Sequence, residues 1–375
     1  MDRRNFIRLV GGGTIAAPFA GCASAKDIGW AWRNPGAGES DPRRRAIAWG
    51  ILAPNPHNMQ PWLLDLRTPD EAMVYLDPTR LLPSTDPLNR QIVIGTGAFL
   101  ELMAMAATRD GLEVTATPFP QGEPQPTLDR RPIAHLAFRP APAVVDPLFP
   151  AVLKRRTNRT AFDGRTVSAD ISRRIVTAAV REGVAVDATV DPSRLPRLRG
   201  LANQGAAIEA HTPDAHKEST DRTFFGETDV AAHPYGVSLR GLPIEALHAV
   251  GLLNQREIQK PGSIAYGQSI AFLKKGAESA QGFIWVTTSG NSRAEQLEAG
   301  RAYLRANLQA TALGVSMQPF SQALQEYPSM AETLAAVHSE LAPVGGRVQM
   351  FVRIGYAPDV PPSPKRGVDA QILKA

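Results

Sequence analysis

Residues 90–114, RQIVIGTGAFLELMAMAATRDGLEV, carry apolar side chains at 99, 100, 102, 103, 106 and 107. These cover one helical face and part of another, so the pattern predicts a mostly buried helix that stops at Gly111. The pattern returns in EAGRAYLRANLQATALGVSM, residues 298–317. Gly97 to Gly111 and Gly300 to Gly314 are both 14-residue steps. Each helix leads into a short apolar segment and a Pro-containing turn. A strand comes later, IAHLAF at 133–138 and VQMFVRIGY at 348–356. So long a period predicts two domain-sized halves rather than a solenoid. Two unrelated buried helices of equal length are the competing explanation.

Local signals fill in each half. Asp41 and Pro42 predict a helix start, with the helix running to Ala53-Pro54. WLLDL and AMVYL then predict two strands. Beyond LKRRTNRTAFDGRT, Ser168 predicts a cap, and Ile171, Ile175, Val176 and Ala179 form a helical stripe. Residues 211–245 are rich in Pro, His and Gly and poor in apolar repeats, which predicts an insertion or lid. The expected organisation is a signal at 1–25, a first half at 26–150 and a second half at 151–375.

Composition adds little beyond a soluble, globular chain. The net charge of +5, from 41 basic and 36 acidic residues, is too small and scattered to point to nucleic acid. The first 25 residues stand apart. MDRRNFIR precedes a weakly apolar run from Leu9 to Ala20. That run would span roughly 20 Å, short of a ~30 Å bilayer core. RRNFIR resembles a twin-arginine export signal, departing from it at Asp2, Ile7 and Arg8. A general secretory signal or a basic tail is the alternative. Cys22, the single cysteine, lies in PFAGC, which resembles a lipobox. Lipid anchoring at Cys22 and cleavage after Ala25 both stay open. A periplasmic protein or a membrane-anchored lipoprotein follows, exported folded and able to carry a preloaded redox cofactor.

Two polar segments interrupt the apolar pattern. APNPHNMQPW (53–62) sets prolines and amides between two hydrophobic segments. In RRTNR (155–159), Arg155, Thr157 and Arg159 alternate, so an extended segment points them to one side. His211, Asp214, His216 and Glu218 match no metal-ligand spacing. No G-x-S-x-G, S-x-x-K or phosphate-loop string occurs, and no catalytic acid stands out.

These segments resemble motifs of the FMN-dependent nitroreductases. APNPHNMQPW is similar to their PSxxNxQPW loop, and RRTNRTAF to their opening RRSxRxF segment. GRAYLRANLQATALGVSMQP is similar to their dimer helix and the turn after it. With the tail VRIGYAPDVPPSPKRG, the order resembles the Acg-type branch, in which two halves are fused. The resemblance implies an α+β nitroreductase-like fold, duplicated as a pseudo-dimer in one monomeric chain. It implies one FMN, because the first half alone has the loop and the second alone has the basic segment. Its implied flavin-binding residues are Pro54, Asn55, Pro56, Asn58, Gln60, Arg155, Thr157, Arg159, Gln318, Pro319, Lys365 and Arg366. No metal is implied, and no catalytic side chain. The implied activity is hydride or electron transfer to a small-molecule acceptor such as a nitroaromatic or quinone. The donor is open among NAD(P)H, a quinol, a thiol and a redox protein. An FMN-sequestering protein and a cofactor-free remnant are the rivals.

Overall fold

The computed structural model describes residues 27–374, so the signal, the Cys22 motif and the cleavage site after Ala25 lie outside the described residues.

The first half opens with helix α1 (Pro42–Gly50), whose N-cap Asp41 accepts from the Arg43 amide at 2.8 Å. Strands β1 (Trp62–Asp65) and β2 (Glu71–Leu76) follow, then α2 (Arg90–Arg109), β3 (Leu112–Pro118) and β4 (Ala134–Pro140). The second half repeats this with α3 (Ala169–Ala178), capped by Ser168, and β5 (Val184–Thr189). A long excursion intervenes: α4 (Leu195–His211), α5 (Pro213–Asp221), β6 (Thr223–Phe225), α6 (Gly226–Ala232), β7 (Val237–Leu239), α7 (Leu242–Ala249), α8 (Gln255–Gln259) and α9 (Ile264–Glu278). The frame resumes with β8 (Gly282–Thr288), α10 (Arg293–Ala312), β9 (Ser316–Pro319), α11 (Ala331–Leu341) and β10 (Arg347–Gly355).

The two four-stranded sheets run β1-β2-β4-β3 and β5-β8-β10-β9, antiparallel throughout. Each places the first strand of its half at one edge and the third at the other. The chain is therefore an internally duplicated α+β protein. The excursion fills the whole interval between β5 and β8, wider than the 211–245 stretch that its composition marks. Its first helix is core: Leu198, Leu201 and Ala202 pack with Phe283 and Phe351 of the second sheet.

The ranges of α2 and α10, 90–109 and 293–312, are related by a shift of 203 residues. The shift describes their crossing. A Cβ at Gly97 would overlap the Leu297 carbonyl, and one at Gly300 would overlap the Ile94 carbonyl. Glycine at both places lets the backbones touch, and 94/297 and 97/300 are equivalent positions. The buried first residues obey the same relation. Arg90 reaches Glu326 (3.2 Å) and the Leu324 carbonyl (2.7 Å) in the second half. Arg293 reaches the Pro124 and Pro126 carbonyls in the first half, and Glu123 caps its amide at 2.8 Å. Glu123 and Glu326 are again 203 apart.

The tail after β10 returns to the first half. Ile372 bridges Leu64 of β1, and the Leu373 amide donates to the Leu64 carbonyl at 2.9 Å. A boundary near 150 separates the sheets, but the last residues complete the edge of the first.

Candidate functional site

Loop 54–60 leaves the end of α1 in an unusual conformation. His57, Asn58 and Gln60 hold φ of 46°, 52° and 51°. Left-handed non-glycine residues cost on the order of 1–3 kcal/mol each and persist only where surroundings enforce them. The enforcing contacts are visible. Asn55 Oδ1 accepts from the Gln60 amide (2.8 Å), and Asn58 Nδ2 donates to the Pro364 carbonyl (2.9 Å). Gln60 Oε1 accepts from the Arg366 amide (2.8 Å), and its Nε2 donates to the Pro234 carbonyl (3.0 Å). Pro54 and Pro56 restrict φ on the same loop. Gly95 of α2 lies behind it; a Cβ there would stand 2.9 Å from Pro56 Cδ and 3.0 Å from Asn55 Cβ.

Segment 155–159 and the tail bring cations to this loop. Arg155 is buried, with Nη2 on the Leu52 carbonyl (3.0 Å) and Nη1 on Asn307 Oδ1 (3.3 Å). Lys365 is buried, with Nζ on Asn58 Oδ1 at 2.9 Å. Trp32 lies beneath: Arg155, Arg156 and Lys365 approach its ring at 5.6, 4.5 and 5.7 Å. Arg159 and His57 are half-buried beside them. Among the described residues, no carboxylate pairs with Arg155, Arg159 or Lys365. The Arg155 Nε and the buried Tyr303 hydroxyl lack partners.

Burial dominates the titration of this set. It brings Arg155 down to about 10, with Arg156 and Arg159 adding to the effect and Tyr303 opposing it. It brings Lys365 well below the ordinary lysine range, with Arg155 and Arg156 assisting. Burial and then Arg159 and Arg222 lower His57 to about 4. Cations buried together without a counter-charge are costly, so an anionic group placed among them would be stabilised. Guanidinium groups suit a phosphate in geometry and charge.

Other expected residues have different positions. Asn58 and Gln60 use both side chain and backbone within the protein. Arg366 also works on the loop: its guanidinium donates to the Gln60 and Ala370 carbonyls. Gln318 Oε1 accepts from Arg353 Nε at 2.8 Å, and Pro319 pairs with Val352 in the sheet. The strand containing them joins the basic segment through the Met317 carbonyl and Asn158 amide at 3.2 Å. Thr157 is half-buried between the two arginines. Trp32, Tyr303 and Asn307 escaped sequence reasoning. The signal that could have found Tyr303 and Asn307 is polarity in α10 where α2 has Leu100 and Ala104.

The shift of 203 locates the equivalent place in the other half-interface. Gly95 becomes Glu298, Ala98 becomes Arg301 and Leu100 stands for Tyr303. The space there is a cavity of about 60 Å³ lined by Leu100, Pro118, Leu297, Glu298 and Arg301, among others. Its cations are all paired. Arg301 meets Glu101 and Glu298 at 3.2 and 3.1 Å, and Arg305 meets Glu101 at 2.9 Å. Arg181, where the loop would be, meets Glu298 at 2.8 Å. One half-interface therefore holds cations without carboxylate partners beside loop 54–60, and at the other the cations are paired. No metal-ligand cluster occurs among the described residues.

No family profile matches the chain. It is similar to the Mycobacterium tuberculosis protein Rv3131, provisionally named an NAD(P)H nitroreductase, at 27% identity over 331 residues, 86% of this chain and 88% of that one. It is similar to the Acg protein of the same organism, which bears the same provisional name, at 22% identity over 344 residues, 88% and 95% of the two chains. Among solved structures it resembles an FMN-bound nitroreductase from Bacteroides fragilis, at 16% identity and a TM-score of 0.34, covering 57% of this chain and 90% of that one.

Proposed function

We propose that this chain, a member of the nitroreductase superfamily, is an FMN-dependent oxidoreductase with a single flavin site between its two halves. The observation that carries the reading is the unpaired set Arg155, Arg159 and Lys365 beside loop 54–60. Arg155, Arg159, Lys365 and the Tyr303 hydroxyl would hold the phosphate. Loop 54–60, backed by Gly95, would form the wall of the ring pocket. Bound flavin supplies hydride or electron transfer. The protein's part is to fix the phosphate, present a rigid wall and exclude water. The acceptor is a small molecule of nitroaromatic or quinone type. NAD(P)H is the donor suggested by the relatives' names, and a quinol, a thiol or a redox protein suits an exported chain. Export by the twin-arginine route is part of the proposal and rests on RRNFIR. So is a lipid anchor at Cys22, which rests on PFAGC.

One experiment tests the reading. Purified protein reconstituted with FMN is mixed with donor, then with a nitroaromatic or quinone, in a stopped-flow spectrometer. Bleaching of the flavin band and its return on adding acceptor is the expected result. A second reading, FMN storage, is favoured by the excursion closing on the loop: the Gly236 amide donates to the Asn58 carbonyl at 3.3 Å. Flavin that binds but stays oxidised with every donor would select storage. Failure to bind flavin would remove both.

A further inference from the structure

Behind loop 54–60 runs a chain of hydrogen bonds that the flavin site does not use. His57 Nε2 lies 3.1 Å from Ser219 Oγ, at the end of α5. Ser219 Oγ lies 2.8 Å from Glu209 Oε1, on the buried face of α4. Gln325 Nε2 donates to Glu209 Oε2 at 2.5 Å, and Gln325 Oε1 accepts from the Tyr327 hydroxyl at 2.7 Å. Glu209 is buried and has no cationic partner among the described residues. A carboxyl so placed with only neutral donors around it favours its protonated form.

We propose that Glu209, acting through Ser219, supplies a proton to His57, which delivers it to a substrate bound beside loop 54–60. The proposal rests on the flavin reading above. Reduction of a quinone to a hydroquinone takes up one hydride and one proton. Reduction of a nitro group to a nitroso group takes up the same pair and releases water. The hydride comes from the reduced cofactor. For the proton, Glu209 O–H donates to Ser219 Oγ, Ser219 O–H to His57 Nε2, and His57 Nδ1–H to the substrate oxygen. Glu209 is left a carboxylate, and a water proton entering at His57 Nδ1 restores the chain by the reverse path. Imidazole suits this position because it accepts at one nitrogen while donating at the other.

The surrounding charges agree. Burial, reinforced by Glu218 on α5, raises Glu209 to about 7 against the opposing bonds from Ser219 and Gln325. Tyr327 faces it from the 325–327 segment, and on α9 Tyr266 donates to the Ala210 carbonyl instead. Arg159 and Arg222 face His57 and help keep it neutral, so it passes a proton on rather than holding it.

Glu209→Gln and Ser219→Ala test the chain. Infrared spectra of the flavin-free protein should show a carboxylic acid band that titrates near pH 7 and is absent in Glu209→Gln. The rate of acceptor reduction by the reduced holoprotein should fall above about pH 7 in the wild type. Both variants should lose that break and react slower below it, by on the order of 10²-fold. Flavin binding should be unchanged, which separates the relay from the flavin site. Wild-type protein without the titrating band, or a pH break retained in both variants, overturns the proposal. Absence of flavin binding overturns the functional reading, whereas the infrared band still tests the acid on its own.

Discussion

At the scale of single residues, the site is a problem of charge. Arg155→Ala and Arg159→Ala should each weaken FMN binding by roughly 1.5–3 kcal/mol, the value of a charge-assisted hydrogen bond. Riboflavin, which lacks the phosphate, should bind the variants and the wild type alike; equal losses for both ligands would remove these arginines from the phosphate. Lys365 adds a pH dependence with a definite sign. Burial and then Arg155 and Arg156 lower its pKa in the free protein. An arriving phosphate raises it again, so binding takes up a proton. FMN affinity should therefore fall as pH rises, and Lys365→Met should flatten that dependence in a titration series. A slope unchanged in the variant would place the proton uptake elsewhere. Arg155 and Arg159 were legible because their spacing is local. Tyr303 and Asn307 were not, since on a mostly buried helix they read as core. The amides of Asn58 and Gln60 were legible as unusual, but their partners lie in a tail some 300 positions away and, for Gln60 Nε2, at Pro234 in the excursion.

At the scale of elements, the crossing of α2 and α10 sets the geometry of the interface. Gly300→Ala drives a methyl group into the Ile94 carbonyl. Neither helix can yield without moving Gly95 or Tyr303. We expect destabilisation of about 3 kcal/mol, near the upper end for overpacking, together with weaker flavin binding. Gly200→Ala is the control: it lies within α4 at ordinary φ with open space around it. That change should stabilise by roughly 0.5–1 kcal/mol, the helix-propensity difference between the residues. A thermal melt in which the two variants behave alike would refute the close approach. The duplication could be read from sequence because both helices keep glycine, apolar face and stop at matching places. The extent of the excursion could not. Its elements have no counterpart in the first half, and the apolar positions of α4 are diluted by Ala and Gly.

At the scale of the whole molecule, the halves have diverged in opposite senses, one losing the loop and the other the basic segment. Flavin released by denaturation should approach one per chain, and a ratio near two would mean that the cavity beside Glu298 opens. The proposed single site in one chain would also suit the proposed export in the folded state, because a cofactor could be inserted before transport without assembly of subunits. This makes the export claim testable at its first step. In the proposed twin-arginine route the arginine pair of RRNFIR would be read by a receptor that distinguishes guanidinium from ammonium. Changing Arg3 and Arg4 together to Lys should therefore hold the precursor in the cytoplasm, although charge is conserved. Cys22→Ala then separates the two ends of the pathway. Release from the membrane with export intact indicates a lipid on Cys22; unchanged fractionation indicates cleavage after Ala25. If the double-lysine variant is exported like the wild type, the link between folded export and a preloaded cofactor fails. The flavin reading would then rest on loop 54–60 and on Arg155, Arg159 and Lys365.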